Sequence, residues 1–306
     1  MWTNNHIRQM EGFAPSKPLL TDMMKHVPPL TLICILFFTF LLCFTSNAVA
    51  QTPPRIVSLS PNLTEIIIVL GGQSSLVGRS SACNYIEDAK SIPIAGDMGA
   101  PNLEKIILLK ANIVVASALR NPSDARIIEN LGIKFYLLES ESFKDYYAAV
   151  EILGKLLGKE KEAEKETGRV KSALSEFKEN NTSIPLSNRP KVFWEIWNNP
   201  LITIGNKAFL NEFIVLAGGR NITANVNRSY FEISKESVMI ADPDVIIAPG
   251  LSPKSVKDMK SGIGWSSMSA VKNNRVYTDF DLNLVNVFGP RMITTIQLIH
   301  NLLYKE

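Results

Sequence analysis

Two segments of the chain, about 130 residues apart, repeat one pattern without a gap. They are PNLEKIILLKANIVVA at 101–116 and ISKESVMIADPDVIIA at 233–248, and they align with Glu104 on Glu236. Each segment begins with the apolar spacing of a helix behind an acidic residue, and it ends in a short apolar run typical of a buried strand. The chain is therefore predicted to contain one helix–strand unit twice.

A second pair of segments extends this repeat. TEIIIVLGG (64–72) and NEFIVLAGG (211–219) each read as a helix that ends in Gly-Gly. Glycine is the usual residue at the left-handed position that stops a helix. Similarity between two α/β units often arises by chance, but two matches in the same order along the chain predict two lobes of similar build.

The remaining pattern places both repeats in an α/β protein. Short runs of β-branched and aromatic residues alternate with helical patterns, which is typical of parallel sheets crossed by helices. We therefore expect two Rossmann-like lobes, each with its own sheet. The predicted strands form two sets, one at 55–59, 112–117 and 134–139 and the other at 191–196, 244–249 and 275–280.

The segment between the two strand sets differs in composition. Residues 158–181 are rich in Lys, Glu and Ala, which favours a long solvated helix with many i,i+4 charge pairs. Such a helix either lies on the surface of one domain or joins two lobes, and its position between the strand sets favours the second interpretation. The predicted boundaries are 1–50 for an N-terminal extension and signal peptide, 51–157 for the N-terminal lobe, 158–184 for the linking helix and 185–306 for the C-terminal lobe.

The N-terminal segment has the composition of a secretory signal peptide. Residues 30–44 carry no charge and are followed by the small residues Ala48 and Ala50. Cleavage is predicted after Ala50, which would release a periplasmic protein. A retained anchor is the alternative, although the run is shorter than the roughly 20 residues that span a bilayer. A lipoprotein is not expected because Leu42, which is not small, precedes Cys43.

Charge and composition argue against several classes of protein. The chain has 32 Lys and Arg against 29 Asp and Glu, a balance that does not suit a nucleic-acid-binding protein. Cys83 is the only cysteine after Ala50, so no disulfide is expected within the mature chain, and a lone cysteine is usually buried. His300 is the only histidine there, which leaves too few ligands for a zinc or manganese site.

The sequence also argues against an enzyme. It contains no GxSxG, P-loop or GxGxxG motif. A single histidine in the mature chain leaves general acid–base catalysis short of its commonest residue. A binding protein without a covalent cofactor is predicted, and a secreted hydrolase that acts through Asp and Glu is the remaining enzymatic alternative.

Residues at the carboxyl ends of the predicted strands are the candidates for a ligand cleft, because ligands of open α/β sheets bind at that edge. Aromatic side chains are common among them, and aromatic walls suit a large, flat, partly apolar ligand. Trp194 lies mid-strand and is expected in the core, whereas Arg291 either pairs with an anionic ligand or forms a salt bridge at a helix start. The candidates are Ser60, Asn62, Tyr85, Asp97, Met98, Trp197, Tyr230, Phe231, Phe288 and Arg291.

The two repeated acids have two possible roles. The first is to complement a helix dipole, since Glu104 and Glu236 follow the plausible N-caps Asn102 and Ser234. Alternatively, two similar lobes would offer the two carboxylates at matching positions to a partner with two-fold symmetry. Charged contacts of that kind steer docking and fix its register.

The mature chain resembles a known family over nearly all of 54–306. The resemblance rests on RIVSLSPNLTEIIIVLGG, NLEKIILLKANIVVA, LGIKFYLLE, SKESVMIADPDVIIA and FGPR, in that order. The family is that of the periplasmic substrate-binding proteins of ABC importers for vitamin B12, ferric siderophores and haem. It implies a monomer with two α/β lobes joined by one long helix, a ligand in the cleft between the lobes, and docking of Glu104 and Glu236 onto arginines of a dimeric inner-membrane permease.

Within the family, the chain is most similar to the vitamin B12-binding branch, so the resemblance implies cobalamin or a related corrinoid as the ligand, with a ferric siderophore or haem as alternatives. Tyr85 matches a tyrosine of the family, but Ile86 replaces the proline that follows it. Tyr230 stands in place of a tryptophan that faces the ligand, and Asp97 and Met98 stand near the place of another.

Overall fold

The computed structural model describes residues 53–251, 257, 259, 261, 262 and 264–304. The predicted signal peptide and its cleavage site lie outside this part of the chain. The described residues form two sheets with flanking helices, which confirms the predicted two-lobed α/β fold. No helix in the described ranges is long and apolar enough to cross a membrane.

The first sheet has the strand order β4-β3-β2-β1-β5-β6. All neighbours are parallel except β3 and β4, so the carboxyl ends of the parallel strands meet at one edge. The central strands β1 and β5 are entirely buried. The strands are β1 (Ile56–Ser58), β2 (Leu76–Ser80), β3 (Ile94–Asp97), β4 (Ala100–Pro101), β5 (Ile113–Ala116) and β6 (Lys134–Leu137).

The second sheet has the order β10-β8-β7-β11-β12, and β9 also pairs with β7. Two strands, β9 and β11, pair with β7 and run parallel to it, and β12 runs parallel to β11. Two successive antiparallel pairings return β10 to the direction of β7. The strands are β7 (Lys191–Asn198), β8 (Leu201–Ile204), β9 (Arg220–Asn221), β10 (Tyr230–Glu232), β11 (Val245–Ile247) and β12 (Val276–Tyr277).

Helices cross between the strands and cover both sheets. In the first lobe they are α1 (Pro61–Val69), α2 (Leu103–Leu108), α3 (Ser123–Asn130) and α4 (Phe143–Leu157). In the second lobe they are α6 (Phe209–Leu216), α7 (Lys235–Ala241), α8 (Ser269–Lys272), α9 (Leu282–Val285) and α10 (Met292–Leu303).

The long helix predicted between the strand sets is present as α5 (Glu160–Thr182). It begins after Gly158, which adopts the left-handed conformation that ends α4. The few apolar residues of its sequence lie on the inner face, where Val170, Leu174 and Phe177 are buried. This narrow apolar stripe fixes the helix against the core while its charged residues remain solvated.

The repeated helix–strand units have the same local structure in both lobes. Asn102 caps α2 by accepting a hydrogen bond from the Lys105 amide, and Ser234 caps α7 by accepting one from the Ser237 amide. The two predicted caps are thereby confirmed. The helices also end alike, because the aligned residues Lys110 and Asp242 have positive φ angles of 51° and 44°.

One apolar core extends through both lobes. The same buried cluster contains Ile56 of the first sheet and Val192 of the second. Phe288 connects them, since its ring centroid lies 5.2 Å from that of Phe143 and 5.5 Å from that of Phe213. Burial of aromatic rings at this contact holds the two lobes in fixed relation.

Candidate functional site

A cavity of about 360 Å³ lies where the carboxyl edge of the first sheet meets the second lobe. We call it the interlobe cavity. The first lobe contributes Asn62 from α1, with Tyr85, Met98 and Ser140 from loops that follow strands. The second lobe contributes residues of α6 and of the segment that contains α9, namely Phe209, Leu282, Asn283, Asn286, Val287 and Phe288.

A second cavity of about 530 Å³ adjoins the first, and we call it the strand-end cavity. Leu282 and Asn286 line both cavities, and we call the two adjoining cavities together the cleft. Its other walls come from the end of β7, including Glu195 and Trp197, and from residues 248–251 after β11. This position at the carboxyl ends of parallel strands is the usual ligand crevice of such sheets.

Five of the ten predicted ligand residues line this cleft. Asn62, Tyr85, Met98 and Phe288 lie in the interlobe cavity, and Trp197 lies in the strand-end cavity. The Trp197 side chain is 62% exposed, and its indole N–H donates to the Asn199 carbonyl at 2.9 Å. Trp194, predicted to be a core residue, is fully buried.

Two other predicted residues make local contacts. Ser60 is buried, and its hydroxyl accepts a hydrogen bond from the Ser117 amide at 2.9 Å, which ties the start of α1 to the end of β5. Asp97 is exposed at the end of β3, where it accepts a hydrogen bond from the Ser81 hydroxyl at 2.5 Å. Neither residue lines the two cavities as the structure describes them.

Tyr230 and Phe231 are neighbours on β10 and point to opposite faces, as successive strand residues do. Tyr230 is half exposed, and burial of its hydroxyl together with the nearby Glu141 carboxylate of the first lobe raises its pKa. Phe231 instead lines a separate cavity with Ile222 and Ser234.

Arg291 forms the salt bridge that the sequence left as one of two alternatives. Its Nη2 atom lies 2.8 Å from Oε1 of the buried Glu65, and its Nε donates to the same oxygen at 2.9 Å. The Tyr85 hydroxyl donates to this oxygen at 3.0 Å, and the Tyr85 ring stacks 5.1 Å from the guanidinium. Burial raises the pKa of Glu65, and Arg291 offsets part of this rise.

Close backbone packing accompanies this ion pair. A Cβ atom at Gly289 would lie 2.9 Å from Oε2 of Glu65, so a side chain at this position would press on the carboxylate. The ion pair joins α1 of the first lobe to the start of α10 in the second. It lines a neighbouring pocket that shares Tyr85 with the interlobe cavity, and the protein itself engages the guanidinium.

Glu195 is the functional candidate that the sequence analysis missed. It is 2% exposed, it lines the strand-end cavity, and neither carboxylate oxygen has a hydrogen-bond partner among the described residues. Burial raises its pKa to about 7. The available signal was an acid close to the carboxyl end of a predicted strand, the edge at which ligands of α/β sheets bind.

Amide groups dominate the polar lining of the cleft. Five asparagines contribute to its walls, and among the described lining residues Glu195 is the only charged one. Asn62 is buried, and its side-chain nitrogen has no partner within the described structure. The asparagines are Asn62, Asn198, Asn199, Asn283 and Asn286.

The described residues contain no group of three His, Cys, Asp or Glu side chains positioned to hold a metal ion. His300 contacts the Ala217 carbonyl at 3.0 Å through Nδ1, which is a packing contact of α10. Cys83 is buried as expected, and burial raises the pKa of its thiol. Both residues are therefore engaged within the fold.

The two repeated acids lie outside the cleft. Glu104 is exposed in the first turn of α2, and Glu236 is exposed in the first turn of α7. Each helix leads into a parallel central strand of its sheet, α2 into β5 and α7 into β11. The carboxylates therefore occupy equivalent places on the two lobes.

Comparison with known proteins identifies the family. The periplasmic binding protein family matches residues 56–281. YvrC of Bacillus subtilis (strain 168), an uncharacterised ABC transporter substrate-binding lipoprotein, is 31% identical over 264 residues, which cover 84% of this chain and 82% of YvrC. The vitamin B12-binding protein of Vibrio vulnificus (strain CMCP6) is 24% identical over 262 residues, which cover 85% of this chain and 94% of that protein.

A solved structure supports the same fold. The periplasmic heme-binding protein BhuT, in complex with two hemes, has a TM-score of 0.72 at 20% identity, over 82% of this chain and 98% of BhuT. The prediction of a binding protein rather than an enzyme is confirmed by the family match. The chain belongs to the periplasmic binding protein family.

Proposed function

We propose that this protein is the extracytoplasmic substrate-binding component of an ABC importer, and that its ligand is cobalamin or a related corrinoid. The ligand binds in the cleft between the lobes, and the loaded protein delivers it to a membrane permease. The two relatives named above support this proposal, since one is an ABC transporter substrate-binding lipoprotein and the other binds vitamin B12.

The observation that carries the corrinoid assignment is the amide-rich, nearly uncharged lining of the cleft. A corrin ring is broad and flat, and its edge bears neutral amide side chains. Asparagine side chains can both donate to and accept from such amides, while Trp197, Phe209 and Phe288 offer apolar surface to the ring. A haem presents two anionic propionates, for which basic side chains are the usual partners.

The lining lacks such basic partners in the part of the cleft that the structure describes. Arg291, the predicted candidate, is held by Glu65 and lines the neighbouring pocket, which shares Tyr85 with the interlobe cavity. Glu195 is the one charged group among the lining residues that the structure describes, and an anionic ligand beside it would meet repulsion once it ionises.

The experiment is a titration of the purified mature protein with cyanocobalamin, haemin and a ferric catecholate siderophore, followed by tryptophan fluorescence. We expect cyanocobalamin to bind at least about tenfold more tightly than the other two, because only it matches the neutral lining. Tighter binding of haemin or the siderophore would replace the corrinoid assignment with that ligand.

Two substitutions test the role of the amides. Asn286→Leu removes a polar group that lines both cavities and should weaken cyanocobalamin binding about tenfold. Asn301→Leu, on the exposed face of α10, is the matched control and should bind as the wild type does. Equal affinities of the two variants would remove the asparagine lining from ligand recognition.

We also propose that Glu104 and Glu236 dock onto a dimeric permease. Their exposure and equivalent positions in two similar lobes suit a partner with two-fold symmetry. Complementing a helix dipole accounts for an acid in the first turn of a helix. It does not by itself account for the same exposed acid at the same position of both lobes.

A further inference from the structure

Leu108 and Ile240 are the most exposed large apolar side chains in the described part of the chain. Their exposed fractions are 79% and 87%, and the next in order, Leu186 and Trp197, are at 64% and 62%. Single exposed apolar residues are ordinary on protein surfaces. These two are distinguished by their positions.

Leu108 and Ile240 occupy the same place in the two repeated units. Each lies four residues after a candidate docking acid, Leu108 after Glu104 on α2 and Ile240 after Glu236 on α7. Residues four apart in a helix are neighbours on one face. Each helix therefore presents a carboxylate and an aliphatic side chain side by side to solvent.

The opposite faces of the two helices explain how they are held. Ile106 and Val238 each lie two residues after the acid and are fully buried. They anchor the helices to the lobes, so the fold does not need Leu108 or Ile240 for packing. A polar residue at either position would leave the core unchanged and would avoid exposing apolar surface to water.

We propose that the docking surface of each lobe has two parts, an acid and the aliphatic residue four positions later, and that the permease dimer presents at each of its two equivalent sites a basic side chain beside an apolar recess. This inference rests on the proposed function, because it assumes docking on a permease. The two-fold symmetry of the partner follows from the repetition of the pair, and its basic character follows from the two carboxylates.

The two parts have different effects on binding. Charged contacts at an interface mainly steer association and make it sensitive to salt, whereas contacts between buried apolar groups mainly slow dissociation. Loss of the aliphatic pair should therefore speed dissociation without changing the salt dependence. Loss of the acidic pair should flatten the salt dependence of association.

The experiment measures binding of the full-length mature protein, loaded with cyanocobalamin, to the permease–ATPase complex of the same organism in lipid nanodiscs. The variants are L108Q/I240Q, E104Q/E236Q and the control L186Q, which replaces an exposed leucine in the turn after α5. Glutamine is used because it is a good helix former, so α2 and α7 should be retained. Circular dichroism and cyanocobalamin affinity serve to check folding.

We expect L108Q/I240Q to dissociate on the order of ten- to a hundredfold faster than the wild type, with its salt dependence unchanged. L186Q should behave as the wild type. Wild-type-like dissociation of L108Q/I240Q, while E104Q/E236Q binds weakly, would overturn this inference and leave the acidic docking sites in place. Absence of nanodisc binding by the wild-type protein would instead overturn the permease assignment on which the inference depends.

Discussion

Burial keeps the carboxyl group of Glu195 partly protonated near pH 7. It is buried at the end of the cleft, its oxygens have no partner among the described residues, and its pKa is raised to about 7 by burial. The ordinary value for a glutamate is about 4.5. The folded protein therefore binds a proton more tightly at this site than the unfolded chain does.

This difference makes stability depend on pH in a defined direction. Below pH 4.5 the carboxyl group is neutral in both states and adds no penalty. As pH rises from about 4.5 to about 7, the unfolded chain ionises freely while the folded protein must bury a charge, so the free energy of unfolding falls. Above about pH 7 the full penalty is present.

Glu195→Gln should remove this penalty. We expect the variant to have a free energy of unfolding about 3 kcal/mol higher than the wild type at pH 8, and about equal to it at pH 4.5. Urea denaturation at the two pH values measures the difference. Glu104→Gln, an exposed control, should show no such pH-dependent gain, and a pH-independent effect of Glu195→Gln would contradict the assigned pKa.

At the residue scale, three of the predicted ligand residues that line the cleft owe their place to the course of the backbone alone. Asn62, Tyr85 and Trp197 follow strands at the carboxyl edge, and that rule located them. Glu195 was missed because it lies inside a strand. Whether such a residue reaches a cavity depends on what packs against the strand, which the sequence does not show. Asn286 was missed because it follows α9, a helix of four residues that leaves little trace in apolar spacing.

At the scale of elements, the sequence predicted the start of a helix best where a capping residue marks it. The caps Asn102 and Ser234 marked the starts of α2 and α7, because an N-cap bond needs only neighbouring residues. The predicted strand at 275–280 is shorter in the structure, where β12 covers only Val276–Tyr277. Its pairing partner β11 has three residues, and the length of a partner cannot be read from the strand itself.

The two caps should contribute measurably to stability. Asn102→Ala and Ser234→Ala each remove a side-chain acceptor from a helix N-terminus and leave an amide of the first turn unpaired. We expect each to lower the free energy of unfolding by about 1 kcal/mol. Ser187→Ala, in an exposed turn, is the matched control and should change little. Chemical denaturation of the three variants provides the measurement, and equal losses at all three sites would argue against capping.

At the scale of the whole molecule, the ion pair between Glu65 and Arg291 joins the lobes. Glu65 is buried, and its partners are the guanidinium of the opposite lobe and the Tyr85 hydroxyl. A buried acid that loses its cation is left with an uncompensated charge, which destabilises the fold more than the intact pair stabilises it. The sequence did not show which of its two predicted roles Arg291 has, because 226 residues separate it from Glu65.

Arg291→Leu should therefore cost about 2–3 kcal/mol of unfolding free energy, while the double variant E65L/R291L should recover part of that loss. Lys155→Leu serves as the control, because it breaks an exposed pair with Glu151 and should have little effect. Urea denaturation of the four proteins completes the comparison. A double variant less stable than Arg291→Leu alone would show that the ion pair itself stabilises the interface.

The separation of Glu65 from Arg291 also bears on how the protein matures. During synthesis, Glu65 leaves the ribosome more than two hundred residues before Arg291. The carboxylate therefore cannot be buried against its counter-ion until that later segment has been made. Phe288 is equally late, and with it the ring contacts that seal both halves. The contacts that join the two lobes at this place therefore form only after residues 288–291 have been synthesised.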